Sequence, residues 1–162
     1  MKKIKNPFAG MEDQGYNCFA CCPNNEHGLQ MDFYEDGDYV CAKWTPKTYF
    51  EGYPNILHGG IQSTLLDEIA AWAVYVKGQT SGVTSRMNVK YHKPVLVRGN
   101  SLLLRAKILE VRRRFSNIKA ELINSDGEVC SEADLVYYMY PKEIAKTQYF
   151  YPEYSKFFDE NK

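Results

Sequence analysis

The chain has 162 residues, 44% hydrophobic and 14% aromatic, with 20 basic and 20 acidic side chains and no formal net charge. A chain this long fits one domain that buries about two thirds of its unfolded surface, which excludes wholesale disorder. Balanced charge gives no electrostatic reason to expect nucleic acid as a partner, and no apolar run reaches the roughly 18 residues of a membrane span.

Met1-Lys2-Lys3-Ile4-Lys5 is basic, but Asn6-Pro7 follows instead of an apolar stretch, so a secretory signal is not expected. The cysteines at 18, 21, 22, 41 and 130 are odd in number and unevenly clustered, which fits reduced thiols and a cytoplasmic location. Residues 1–28, rich in Asn, Gly, Pro and Cys, read as an irregular lead-in. Leu29, Met31 and Phe33 then alternate onto one face, Asp36-Gly37-Asp38 signals a turn, and Val40, Ala42 and Trp44 alternate again as the second half of a hairpin. An aromatic-rich loop follows from Pro46 to Asn55.

A helix is expected from about His58 to Lys77, closing at Gly78. Ile61, Leu65, Ile69, Trp72, Ala73 and Val76 keep the helical period, and Leu66, Ala70 and Val74 extend the apolar surface far enough to bury most of it. Four strand signals come next. The first is Val83 to Tyr91, with Val83, Met87, Val89 and Tyr91 on its apolar side. Ser101 to Val111, Asn117 to Asn124 and Val129 to Tyr140 follow, the last with Ser131, Ala133, Leu135, Tyr137 and Met139 on one face. Consecutive hairpins imply an antiparallel sheet, and one sheet against one buried helix is an α+β layer. The domain is expected over residues 29–141, with an aromatic-rich tail, residues 142–162, packed on it.

The chemistry concentrates at the helix. Its N-terminus exposes backbone amides and the positive end of the dipole, and a Gly59 or Gly60 amide there could polarise a carbonyl as an oxyanion hole does. An ordinary loop-to-helix junction explains the Gly-Gly pair equally well. Asp67 and Glu68 need a reason to sit in a buried helix, because an unpaired buried charge is costly. Asp67 fits a general base or a nucleophile, against the commoner fate of a paired or capping carboxylate. It lies about 10 Å along the axis from Gly60, too far for both to reach one carbonyl carbon, so cooperation requires two subunits. Glu68, offset by about 100°, is expected to make a structural bond. His58 reads as an N-cap histidine kept neutral by the helix dipole. Cys18, Cys21, Cys22 and His27 invite a zinc reading, but a second ligand pair at metal spacing is missing, so no metal and no cofactor are expected. Arg112-Arg113-Arg114 and Lys90, His92 and Lys93 read as solvated basic groups, with phosphate contact as the alternative.

His58-Gly59-Gly60 followed by Asp67 in a buried helix resembles the hotdog-fold thioesterase superfamily, and most closely its phenylacetyl-CoA-thioesterase-like branch. Phe50-Glu51-Gly52-Tyr53-Pro54-Asn55-Ile56-Leu57 resembles the loop that leads into this motif, and Tyr91-His92-Lys93-Pro94-Val95 with Gly99 the strand after the helix. Cys18-Phe19-Ala20-Cys21 to Gly28-Leu29 resembles a loop of some members, which weighs further against zinc. The resemblance implies an antiparallel sheet wrapped around one long helix, a homodimer through edge strands (or a tetramer of two such dimers), and hydrolysis of acyl-CoA. It gives Asp67 the catalytic acid role and Gly59 the polarising amide, with His58, Gly60, Asn55 and Glu68 around the substrate. Ala71 and Trp72 stand where some relatives carry a water-positioning Ser or Thr, so Trp72 is expected to narrow the acyl pocket.

Two rivals remain at this level. A non-catalytic acyl-CoA-binding module would bind the thioester without turnover. A hydratase acting on enoyl thioesters would want an Asp and a His placed together, whereas His58 and Asp67 are more than two turns apart.

Overall fold

The computed structural model describes residues 1–158. Seven strands form one antiparallel sheet: β1 (Lys2–Ile4), β2 (Phe33–Asp36), β3 (Tyr39–Trp44), β4 (Gly82–Tyr91), β5 (Leu102–Arg112), β6 (Phe115–Ile123) and β7 (Val129–Met139). Their spatial order is β1-β2-β3-β5-β6-β7-β4, so β1 and β4 are the edges. The long helix α1 (Gly59–Val76) packs against β3, β4, β5, β6 and β7, and a short helix α2 (Lys142–Gln148) follows the last strand. One helix touching five strands means that the sheet wraps it, the α+β architecture the resemblance implies.

Local chemistry explains the hairpins. Gly37 takes φ +58° at the first loop position between Asp36 and Tyr39, the place a type II′ turn reserves for glycine. Between β6 and β7, the Asn124 side-chain oxygen accepts the amides of Asp126 and Glu128, a local bond that pre-forms the turn. The inner face is built by period-two alternation: Leu102, Leu104 and Ala106 on β5, Ile118, Ala120 and Leu122 on β6, and Ala133, Leu135 and Tyr137 on β7 are all buried. Leu65, Leu66, Ile69, Ala70, Ala73 and Val74 of α1 are fully covered, and each large aliphatic contributes about 1.5–3 kcal/mol by leaving water. The far side of α1 is covered by the lead-in and the chain's end. Trp72 stacks on Phe33 with ring centroids 4.0 Å apart, and Tyr75 meets Phe8 and Phe157. No helix of the described residues is long and apolar enough to cross a membrane.

Three expectations need correction. The lead-in is not wholly irregular, because Lys2–Ile4 pairs with β2. Leu29 and Met31 are buried but precede β2; their amides bond instead to Phe19 and Ala20 of the lead-in. Val83 is not on the inner side of β4. A register shift between Thr84 and Arg86 inserts one residue, so Thr84 shares the inner face with Met87 and Val89, and Val83 is 43% exposed. After α2, Tyr151 and Phe157 are buried, and the Tyr151 hydroxyl donates to the Tyr75 carbonyl. Residues 159–162 of the expected tail lie outside the described residues.

Candidate active site at the start of the helix

The loop into α1 is pinned before it reaches the helix. The Leu57 amide donates to the Val95 carbonyl, His58 N to Phe50 O and Val97 N to Asn55 O. Asn55 sits at φ +60°, where asparagine is tolerated better than most residues, and its side-chain oxygen accepts the Arg98 amide at 2.8 Å. Asn55 therefore shapes the loop through both its oxygens. The buried Gln62 side chain holds the other end, donating to Leu57 O at 3.1 Å.

His58 is the N-cap, and its Nδ1 accepts the Gly60 amide at 2.9 Å. That uses Nδ1 as an acceptor and takes Gly60 out of contention as a free donor. The Ile61 and Gln62 amides both reach His58 O. Among the described residues the Gly59 amide has no acceptor, so of the two glycines it is the one free to meet a carbonyl. Tyr91 and Ser63 stand beside it: their hydroxyl oxygens are 2.5 Å apart and lie 3.0 and 3.2 Å from the Gly59 carbonyl. A cavity of about 370 Å³ opens alongside, lined by Tyr49, Phe50, His58, Gly60 and Thr64.

Asp67 is two turns on, half-buried, and bound on one oxygen only. Its Oδ1 accepts the Thr84 hydroxyl at 2.7 Å and the Tyr137 hydroxyl at 2.7 Å, and the same tyrosine lies 2.9 Å from the Asp67 carbonyl oxygen. Thr84 and Tyr137 are opposite one another on β4 and β7, so two adjacent strands aim hydroxyls at one carboxylate. Burial and the Asp67 charge push the Tyr137 phenol well above its ordinary range, so it stays a donor. Among the described residues Oδ2 has no partner and remains available to a water or a carbonyl carbon. Sequence reasoning missed Thr84 and Tyr137. The available signal was Tyr137 itself, a tyrosine on an apolar inward face whose hydroxyl must find an acceptor.

Glu68 does not join this arrangement. It faces the lead-in, where the Trp72 indole N–H donates to its Oε1 at 3.0 Å and Cys18 Sγ lies 3.8 Å away. Burial, with the Cys18 charge adding to it, pushes its carboxyl up to about 8. Trp72 is fully buried on Phe33, so it is a core residue rather than the wall of an acyl pocket. All five cysteines are free thiols. Of the basic residues, Lys93 is paired with Glu128 and Arg112 with Glu110.

Comparison with known proteins adds a family likeness. Residues 54–131 match the family model described as the thioesterase superfamily, and the match includes the His58–Gly60 segment, Asp67, Thr84 and Tyr91. No curated protein matches the chain by sequence. A solved thioesterase superfamily protein shares 23% identity at a TM-score of 0.69, over 75% of this chain and 62% of its own; the chain thus spans about three fifths of that relative. The Escherichia coli PaaI protein from the phenylacetic acid degradation operon aligns at 16% identity and TM-score 0.64, over 70% of this chain and 82% of its own. A Streptococcus mutans UA159 protein bound to acetyl CoA aligns at 18% and 0.62, over 69% of this chain and 90% of its own.

Proposed function

We propose, from the premise that the chain belongs to the hotdog-fold thioesterase superfamily, that it hydrolyses acyl-CoA thioesters to free acid and CoA. The observation that carries this reading is the pair of unspent groups: a helix-start amide at Gly59 with no acceptor, and an Asp67 carboxylate oriented through Oδ1 with Oδ2 open. The acetyl-CoA bound by one structural relative supports a CoA ester as the ligand class.

The two groups work together across a dimer. β4 is an edge strand that carries Thr84 beside Asp67 at one end and Tyr91 beside Gly59 at the other. An isologous antiparallel pairing of two β4 edges, with its two-fold axis between Met87 and Asn88, sets Thr84 opposite Tyr91 of the other copy. Asp67 of one subunit then approaches the helix start of its partner, giving two composite sites.

In each site the thioester carbonyl oxygen accepts the Gly59 N–H. Asp67 Oδ2 takes a proton from a water, whose oxygen attacks the carbonyl carbon. The oxyanion forms against the amide and the positive helix end, then collapses with cleavage of the carbon–sulfur bond. The CoA thiolate leaves without needing a strong acid, since thiols ionise near neutral pH, and the Asp67 proton returns to solvent or to the thiolate. Direct attack by Oδ2, with an anhydride that water then opens, is the variant of this step. Single turnover in heavy-oxygen water separates the two, because only direct attack leaves label in Asp67.

The test is thiol release from a panel of acyl-CoA esters, repeated with Asp67→Asn. Loss of a proton acceptor is expected to lower kcat by roughly 10²- to 10⁴-fold. Unchanged turnover in that variant, or binding of CoA esters without any turnover by the native chain, would overturn the reading.

A further inference from the structure

The Cys18-x-x-Cys21 pair lacks a second ligand pair in the sequence, but the fold supplies another ligand from fifty residues away. Cys18 Sγ, Cys21 Sγ and a Glu68 carboxylate oxygen all lie within 4.8 Å of one another. Cys18 Sγ is 3.8 and 3.9 Å from the two Glu68 oxygens. A tetrahedral zinc with bonds of about 2.3 Å to sulfur and about 2.0 Å to oxygen holds its ligand atoms about 3.5–3.8 Å apart. The three groups are thus nearly at coordinating separation already.

We propose that Cys18, Cys21 and Glu68 form a binding site for a thiophilic divalent cation, zinc by its chemistry, which ties the lead-in to α1 and leaves one coordination position open to the adjoining cavity.

The surroundings match what ligands of a cation need. Trp72 holds Oε1 of Glu68 with its indole N–H, which fixes the carboxylate and leaves Oε2, 3.9 Å from Cys18 Sγ, for a cation. Tyr16 accepts from the Asn6 side chain at 2.9 Å, so its own hydroxyl hydrogen is free to point at Cys21 Sγ, 3.1 Å away. The open position follows from the count of three protein ligands. Glu68 and both cysteines line a cavity of about 240 Å³ walled by Phe8, Met11 and Tyr75, large enough for a water or a small ligand. A cation of charge +2 also gives this carboxylate a reason to sit beneath the lead-in. The hydrolase mechanism uses none of these residues, so the two readings stand or fall separately.

The experiment is titration of the reduced, full-length chain with Co(II), followed by absorbance. One equivalent is expected to bind, with a thiolate-to-cobalt charge-transfer band and the visible bands of a tetrahedral site, and Zn(II) should displace it. Cys18→Ser should halve the charge-transfer intensity per bound cobalt, since one of two thiolates is gone. Glu68→Gln should weaken binding and shift the visible bands. Zinc should raise the Tm of the native chain in a concentration-dependent way that chelator reverses. A reduced native chain that develops no thiolate band overturns the proposal without recourse to any variant. So does a band that survives Cys18→Ser unchanged, or a Glu68→Gln chain with native affinity and spectrum. Native thiol release without cobalt uptake would remove the cation site and leave the hydrolase standing.

Discussion

Asp67 owes its orientation to two hydroxyls that meet on one of its oxygens, Thr84 from β4 and Tyr137 from β7. Removing either leaves the carboxylate in place but frees its rotation about the helix. Tyr137→Phe should lower kcat by roughly tenfold to a hundredfold with KM little changed, since small misplacements at a reacting group are costly. It should also destabilise the fold by about 1.5 kcal/mol, the low end for a bond to a charged group, because the half-buried carboxylate can recruit water. Thr84→Val, at an exposed position, should cost no more than about 0.5 kcal/mol while moving kcat in the same direction. Thiol release and thermal unfolding measure both effects, and a double variant with native kcat would remove the orienting role. Half of this arrangement was legible in the sequence. Tyr137 falls on the inward side of an alternating strand, and its hydroxyl needed a partner. Thr84 was hidden, because the extra residue near Ser85 exchanges the faces of β4 and puts Thr84, not Val83, inward.

At the scale of the element, the helix start has one spare donor, and proline tests it cleanly. Gly59 is the first helical residue, and a Cβ there would meet the Tyr91 ring at an ordinary 3.6 Å. Proline is favoured at that position, where the lost N–H has no helical acceptor. His58 before it is already extended, at φ −57° and ψ 134°, as a pre-proline residue prefers. Gly59→Pro should therefore keep the Tm within a few degrees and lower kcat by about 10²- to 10³-fold, the effect of losing one oxyanion donor. A folded variant with native kcat would show that the Gly59 amide does not hold the oxyanion. The helix bounds were legible because Gly-Gly at one end and Gly78 at the other punctuate an apolar period. The turn around Gly37 was legible for the same kind of reason. The neighbourhood of Glu68 was not, since Cys18 is fifty residues away and no local rule brings a loop to one particular helix face. Trp72 misled for a related reason: its spacing from Asp67 placed it one turn on, but the stack on Phe33 turns it into the core.

At the scale of the molecule, the proposed cooperation of Gly59 and Asp67, more than two turns apart on one helix, requires association of two chains. β4 is an edge strand, and an unpaired strand edge is a ready template for pairing with another chain. Val83 and Tyr91 on it are 43% and 52% exposed, and edge pairing would cover both. The chain should sediment with at least twice its monomer mass of 18.7 kDa. Complementation then tests whether the site is shared. Gly59→Pro and Asp67→Asn chains, each nearly inactive alone, are mixed under conditions that exchange subunits. In a mixed dimer one site receives Gly59 from one chain and Asp67 from the other and is native, while the second site carries both changes. Random exchange makes half the dimers mixed, so about a quarter of native activity should return. If both groups acted within one chain, every site in the mixture would carry one change and nothing would return. Absence of recovery in a mixture shown by mass to contain mixed dimers would therefore refute the shared site, whatever the sedimentation result.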